Sequence, residues 1–147
     1  MEDPVPGELL QIGALAERIH LSLRTVRYYE QAGVFEPAGR TAGGYHLYDA
    51  GAVERLLLIK RMKPLGFTLE EMRALLALRD ELFDVSIGGP RRDELHARLR
   101  TWIAVAEEKL TALREQVAAA EDLVARLHDS PADAVETDLT PSLRTRP

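Results

Sequence analysis

Apolar residues near the start of the chain recur every three or four positions. They are Ile12, Leu15, Ala16 and Ile19. This spacing places them on one face of a short helix. A three-residue turn follows and ends at Ser22, whose hydroxyl suits the N-cap of a second helix. Two helices joined by such a turn predict a helix-turn-helix unit, with His20 standing near the position where glycine is usually preferred.

The second helix, which begins after Ser22, is predicted to have a polar outer face. Its outward positions are Arg24, Thr25, Arg27 and Tyr28. Guanidinium, hydroxyl and phenol groups suit the base edges and phosphates of a DNA major groove. Because adjacent helical residues do not share a face, we place Tyr29 in the core. The two arginines could equally be ordinary solvated side chains, and the elements that follow favour the DNA contact.

A small hairpin is predicted next. Gly43 and Gly44 can supply the positive φ angles that a tight turn needs, and residues 45–48 have the aromatic content of a strand. A basic residue, Arg40, lies beside this hairpin. The combination predicts a wing that touches the phosphate backbone.

Two further helices follow the hairpin. Asp49 can cap the first, and Pro64 should end it at Lys63, because proline disfavours a helical conformation in the preceding residue. Thr68 and Glu71 have the spacing of a capping box and start the second, which we expect to reach about residue 79. The first of the two has a predicted basic side: Arg55, Lys60, Arg61 and Lys63.

A linker at 81–92, which contains two glycines and a proline, precedes a long helix predicted at 93–128. Apolar residues in this helix are three or four apart, with one extra step of four near Lys109, as in a heptad seam with a stutter. The seam consists of Leu95, Leu99, Trp102, Ala106, Leu110, Leu113, Val117, Ala120, Val124 and Leu127. Since a small head cannot bury so long a seam, we predict dimerisation through this helix.

The predicted fold is therefore mainly α. A DNA-binding domain at 9–80 and the dimerisation helix are flanked by disordered tails at 1–8 and 129–147.

Composition and charge restrict the classes of function that the chain can have. The 147 residues are 46% hydrophobic and carry a net charge of −5, with no cysteine. Residues 9–63 hold eight Lys or Arg against five Asp or Glu, a net +3, so the remainder carries −8. A basic head on an acidic chain fits DNA binding at one end. Absent cysteines exclude disulfides and thiolate metal sites. The four histidines show no metal-ligand spacing, and no motif supplies a nucleophile with a base and an orienting group, so we expect no metal, no cofactor and no enzymatic activity. With no signal peptide and no membrane helix, we expect a cytoplasmic protein.

Three motifs occur in a specific order: TVRYYE at 25–30, GYHLY at 44–48 and LGFTLEE at 65–71. Over residues 12–76 the chain resembles the MerR family of bacterial transcription regulators. The resemblance implies a winged helix-turn-helix head on each subunit and an antiparallel coiled coil that joins two heads in a homodimer. It also implies binding to palindromic promoter DNA. There an activating member kinks and untwists the spacer so that RNA polymerase engages both of its recognition elements.

The resemblance implies roles for individual residues. It places Arg24, Thr25, Arg27 and Tyr28 in or beside the major groove, Arg40 and Tyr45 on the wing's phosphate contacts, and Arg61 on the backbone. Where the family often has arginine, this chain has His46, so that wing contact is expected to be weak or pH-dependent. The cysteines of the metal- and redox-sensing branches and the large drug-binding domain of others have no counterpart in this sequence.

Two alternatives stay open at this point. The chain could be a coiled-coil adaptor whose small head binds a protein. A small effector pocket could lie between the coiled coil and the head, or the apolar residues there could simply fill the core. Its candidate wall consists of Phe83, Val85 and Ile87 of the linker with Leu99 and Trp102 of the long helix. We favour a DNA-binding regulator that works without a bound cofactor.

Overall fold

The computed structural model describes residues 7–131, which are mainly helical with one small antiparallel sheet. The elements are β1 (Leu10–Gln11), α1 (Ile12–Ile19), α2 (Leu23–Gln31), β2 (Gly39–Arg40), β3 (His46–Tyr48), α3 (Ala50–Met62), α4 (Leu69–Phe83) and α5 (Gly89–His128). Most of both predicted tails lies outside the described residues. Within residues 7–131, no helix is long and apolar enough to cross a membrane.

The predicted helix-turn-helix is confirmed. Leu15 and Ile19 of α1 and Val26 of α2 are completely buried, as their spacing requires. The chain leaves α1 through His20, which adopts the left-handed conformation at φ 55°. The backbone N–H of His20 then donates to the Glu17 carbonyl at 3.2 Å, which satisfies one of the carbonyls left free at the helix end.

The wing is part of a sheet with strand order β1-β3-β2. Leu10 pairs with Tyr48 and Arg40 pairs with His46, both in antiparallel register. The hairpin prediction is confirmed, but only Gly44 takes a positive φ (84°), so Gly43 does not serve the turn in that way.

The strand β1 was not predicted, and Glu8, which the predicted tail includes, makes a defined contact with α1. Glu8 accepts two hydrogen bonds from the Arg18 guanidinium, at 2.8 and 3.0 Å. This bidentate pair lowers the pKa of the Glu8 carboxyl. The two-residue β1 is too short to show an alternating pattern in the sequence.

Capping residues define α3 and α4 as predicted. The Asp49 carboxylate accepts from the Ala52 N–H at 2.9 Å, and α3 ends at Met62, just before a 3-10 turn that contains Pro64. Thr68 and Glu71 form both hydrogen bonds of the capping box, at 3.0 and 3.1 Å.

The predicted linker is too long. Helix α4 continues to Phe83 rather than residue 79, and α5 already begins at Gly89. Nothing between residues 80 and 83 breaks a helix. Pro90 is tolerated in the first turn of α5, since the N–H that it lacks has no partner there. Only residues 84–88 connect the two helices.

The described chain divides into two compact units, the first ending at Lys109 and the second beginning at Leu110. The core of the first unit is built around Phe35, Tyr48 and Leu56, all essentially inaccessible to solvent. Trp102 and Ala106 of α5 pack against this core, and the Trp102 ring stacks on Phe67 with centroids 6.3 Å apart. Trp102, which the sequence predicted to lie in the dimer seam, therefore packs against the core of its own chain.

The α5 seam is divided between two environments. Leu95 is completely buried within the chain, which leaves none of its surface for a second copy and corrects its assignment to the dimer seam. The first unit supplies the apolar neighbours for this part of the helix, a possibility that a heptad pattern alone does not reveal. Farther along, Val117, Val124 and Leu127 are at least half exposed.

Candidate nucleic-acid interface

Helix α2 presents a polar face to solvent. Arg24, Arg27 and Tyr28 are exposed, whereas Val26 and Tyr29 on the other side are buried, as predicted for Tyr29. The Tyr28 ring meets Tyr29 edge-on, with centroids 5.3 Å apart. This contact fixes the direction of an otherwise exposed phenol, so α2 carries two guanidiniums and an oriented aromatic ring on one surface.

Thr25, predicted to contact DNA, also takes part in the N-terminal cap of α2. Its backbone N–H donates to the Ser22 hydroxyl at 3.1 Å, and the two hydroxyl oxygens lie 2.8 Å apart. The side chain is half-buried. Thr25 therefore helps to cap α2, in addition to any contact that it makes with DNA.

The turn of the wing is held by one threonine. The Thr41 N–H donates to the Tyr45 carbonyl at 2.8 Å, and the Thr41 hydroxyl accepts from the Tyr45 N–H at 3.1 Å. Tyr45 itself is 68% exposed and Arg40 is also exposed. An exposed guanidinium and phenol on a fixed turn are suited to phosphate contacts.

His46 lies in a different environment from the other predicted contacts. It is half-buried, and its Nδ1 lies 2.7 Å from a carboxylate oxygen of Glu30 on α2. The pair bridges the wing and the helix that it accompanies. The sequence did not indicate Glu30 as the partner of His46. The motifs TVRYYE and GYHLY occur together, but their order does not reveal a contact between residues sixteen positions apart.

The α2 face and the wing meet at one cleft of about 470 Å³. Its lining includes three predicted contacts, Arg27, Tyr45 and His46, together with Glu30 and Tyr48. The Tyr48 ring is fully buried, and its pKa is raised first by that burial and then by Glu30. The fold therefore brings residues from two separate motifs onto one surface.

The basic side predicted for α3 is only partly available to DNA. Lys60 donates to the Ile19 carbonyl at 2.8 Å, and Arg55 donates to the Val34 carbonyl and to Asp80, both at 2.6 Å. These two cations satisfy carbonyls and an acid of the protein itself. Arg61 and Lys63, near the end of α3, are exposed. The prediction of Arg61 as a backbone contact is compatible with that position and stays a prediction.

Arg73 is a positioning residue that the sequence did not indicate. Its Nε donates to the Ala32 carbonyl at 3.0 Å, and a second guanidinium nitrogen contacts the same oxygen. Ala32 is the C-cap of α2. A cation on α4 thus stabilises the carboxyl end of the helix that carries the predicted DNA contacts.

An apolar cleft of about 450 Å³ lies among α3, α4 and the start of α5. Phe83 and Leu99 of the predicted pocket wall line it, but Val85 is 96% exposed and lines no part of it. Ile87 and Trp102 do not line it either. No three His, Asp or Glu side chains between residues 7 and 131 come together as a metal site.

Comparison with known proteins relates the chain to families of DNA-binding regulators. The family described as MerR HTH family regulatory protein matches residues 10–78, and the one described as MerR, DNA binding matches residues 53–129. The mercuric resistance operon regulatory protein of Bacillus cereus is 44% identical over 70 residues, which cover 48% of this chain and 53% of that protein. The chain thus spans about half the length of this relative.

A second relative matches over a longer stretch. The HTH-type transcriptional regulator HmrR of Sinorhizobium medicae is 31% identical over 119 residues, covering 81% of this chain and 77% of that protein. Among solved structures, HiNmlR, a MerR family regulator lacking the sensor domain and bound to promoter DNA, has a TM-score of 0.62 at 18% identity. The aligned region covers 91% of this chain and 98% of the HiNmlR chain.

The structural likeness supports the fold alone, whereas the family matches extend to function. The family matches decide between the regulator and the adaptor that the sequence left open, and they identify a regulator rather than an enzyme. This chain belongs to the MerR family of transcriptional regulators and carries its DNA-binding domain.

Proposed function

We propose that two copies of this chain bind palindromic promoter DNA and control transcription by distorting the spacer between the two polymerase recognition elements. The observation that carries the proposal is the common surface of α2 and the wing, on which Arg27 and Tyr45 line one cleft. A helix in the major groove and a hairpin on the adjacent phosphates would use that surface together.

Charge supports binding by the head. Residues 9–63 carry a net +3 within a chain of −5. On the α2 face and the wing, Arg24, Arg27 and Arg40 are exposed. Phosphate neutralisation by such groups makes affinity fall steeply as salt rises.

The homodimer is supported by the second unit of the chain. Val117, Val124 and Leu127 of the predicted seam leave an apolar stripe on α5 at least half exposed. A stripe at heptad spacing is stabilised when a second helix covers it. The most economical partner is another copy of the same helix, which matches the twofold symmetry of a palindromic site.

Spacer distortion is the mode of control that this arrangement favours. Two heads joined through α5 would lie at a distance from each other that the protein sets. Relaxed DNA sets its own distance between the two half-sites that the heads contact. If those separations differ, the DNA must bend or untwist, and the deformation energy depends on the spacer. RNA polymerase would then respond to the shape of the promoter.

The first experiment selects genomic fragments that bind the protein and tests them by gel shift across a range of salt concentrations. The proposal predicts enrichment of an inverted repeat. It also predicts a linear fall of log affinity with log salt. Selected fragments without twofold symmetry would contradict palindromic recognition and would leave the family assignment intact.

A second experiment tests the distortion directly. Transcription from the selected promoter is measured with the native spacer and with one shortened by about two base pairs. If the protein activates by untwisting a long spacer, the shortened promoter should be active without it. Equal dependence on the protein in both templates would contradict the mechanism.

A further inference from the structure

The wing and α2 are joined by one side-chain ion pair. His46 Nδ1 of β3 lies 2.7 Å from Glu30 of α2, and these side chains are 34% and 17% exposed, respectively. Both line the cleft that also holds Arg27 and Tyr45. A contact that joins the two predicted DNA-binding elements sets their spacing, although neither partner has to touch DNA.

The charged groups around this pair are few. Arg27 faces it from α2, and Arg40 lies opposite His46 in the strand register of β2. On β3 itself the Tyr48 ring lies 6.4 Å from the imidazole, and the start of α1 contributes only the uncharged Ile12. Within the described part of the chain, Glu30 is the one acid that lines this cleft.

The Glu30 carboxylate also lies beside the buried phenol of Tyr48. The Tyr48 hydroxyl is buried without a hydrogen bond of normal geometry to any described residue. Burial, followed by the influence of Glu30, raises the pKa of the Tyr48 phenol. The Glu30 charge therefore lies against a buried phenol on one side and His46 on the other, and it has only partial access to water.

We propose that Glu30 and His46 form a proton-dependent clamp that positions the wing against α2 and tightens DNA binding as the pH falls. Histidine gains a proton over the range from about pH 8 to pH 5. Protonated His46 forms a charge-assisted hydrogen bond to Glu30, stronger than the one from a neutral imidazole. It also cancels the Glu30 charge, which would otherwise repel nearby phosphates. Both effects strengthen DNA binding when His46 is protonated.

The direction of the linkage follows from the charge. A bond that strengthens when His46 is protonated is fully present at the acidic end of the range and weakens as the pH rises. DNA affinity should therefore be greater at pH 6 than at pH 8. For a partly exposed ion pair, we expect a change of roughly two- to fivefold per head.

The experiment measures the affinity of full-length protein for the selected promoter fragment at pH 6 and pH 8 and at constant ionic strength. His46→Gln should bind at the weaker level and lose most of the pH dependence. His46→Arg carries a permanent charge, so it should bind tightly at both values. His96→Gln, a change at an exposed histidine of α5, is the matched control and should behave like wild type.

Hydrogen–deuterium exchange without DNA tests the positioning role separately. At pH 6 the wing amides of Glu30→Gln and His46→Gln should exchange faster than those of wild type, while amides of α4 remain unchanged. Equal wing exchange in all proteins, or an undiminished pH effect in His46→Gln, would overturn the clamp.

The inference rests on the proposed DNA contacts of the wing. Failure to bind any fragment at either pH would contradict the proposed function, whereas binding that does not depend on His46 would contradict only the clamp. The exchange measurement decides the clamp in both cases.

Discussion

Single residues of the α2 face and the wing differ in what they can contribute to DNA binding. Arg24, Arg27 and Tyr28 are exposed, whereas Thr25 also caps the helix and His46 pairs with Glu30. Substituting a residue with two roles changes folding and binding together. Arg27 gives the cleaner test of DNA contact, since it lies on the exposed side of α2 and in the cleft shared with the wing.

Arg27→Ala is expected to weaken DNA binding by about 1–3 kcal/mol if the guanidinium reads a base edge, and to relax sequence preference at that position. Gel shift or fluorescence anisotropy at physiological salt measures the change. Arg98→Ala, on the exposed surface of α5, removes the same charge away from the head and should have little effect. Equal affinity of the Arg27→Ala protein and wild type would exclude the contact.

His20→Gly is expected to stabilise the fold by about 0.5–1 kcal/mol. The reason is that His20 occupies the left-handed region at φ 55°, where a side chain is strained and glycine is not. Urea denaturation measures the gain. The same substitution inside α5, His96→Gly, should have the opposite sign, since glycine destabilises a helix interior. A loss of stability in His20→Gly would show that the imidazole makes an important contact.

At the scale of elements, the capping box at the start of α4 also makes a contact with α5. Glu71 accepts from the Thr68 N–H at 3.0 Å and lies 3.4 Å from Lys109 of α5. Lys109 also lies over the Phe67 ring, 5.1 Å from its centroid. The residues that start α4 therefore also bind the last part of α5 that belongs to the first unit.

Thr68→Ala should cost about 1 kcal/mol of stability, because the Glu71 N–H loses its acceptor at the start of α4. The free energy of unfolding from denaturant titration gives the value. Thr101→Ala, in the exposed middle of α5, serves as control and should be neutral or slightly stabilising. Equal effects of the two substitutions would argue against the capping role.

The acid sensitivity of this contact between the start of α4 and α5 follows from Glu71. The hydrogen bond from the Thr68 backbone is the main cause that lowers the pKa of the Glu71 carboxyl below its ordinary value near 4.5. The Thr68 side chain and the Lys109 ammonium lower the pKa further. A lowered pKa means that the stabilisation is present above pH 4.5 and is lost as pH falls through the lowered value. Glu71→Gln should thus be less stable at neutral pH and show a shallower loss on acidification. Glu70→Gln, on the exposed neighbour, should retain the wild-type slope.

At the scale of the whole molecule, the exposed stripe of α5 predicts self-association. Leu113→Asp introduces an unpaired charge into the predicted seam, one turn before the stripe, and should break the dimer, since a buried ion without a partner is strongly unfavourable. Sedimentation at micromolar concentration measures the state. Ala119→Asp lies away from the stripe and should remain dimeric. A monomeric wild-type protein would contradict the coiled-coil prediction.

Local chemistry in the sequence determined most of the elements. Ser22, Asp49 and the Thr68–Glu71 pair mark helix starts because capping requires particular side chains at particular spacings. Pro64 fixed the end of α3 for a similar reason. The period of apolar residues predicted the buried faces of α1 and α2. The α2 face and wing could be identified as candidate DNA contacts, since their motifs are continuous in the chain.

Only the tertiary structure decided which of these side chains also serve the protein itself. Lys60, Arg55 and Arg73 contact carbonyls 21 to 41 residues away, and His46 finds Glu30 across sixteen residues. No local pattern encodes such partners, because they depend on how separate elements pack. Leu95 follows the same principle. The heptad period requires an apolar neighbour, but folding decides whether that neighbour belongs to the same chain or to a second copy.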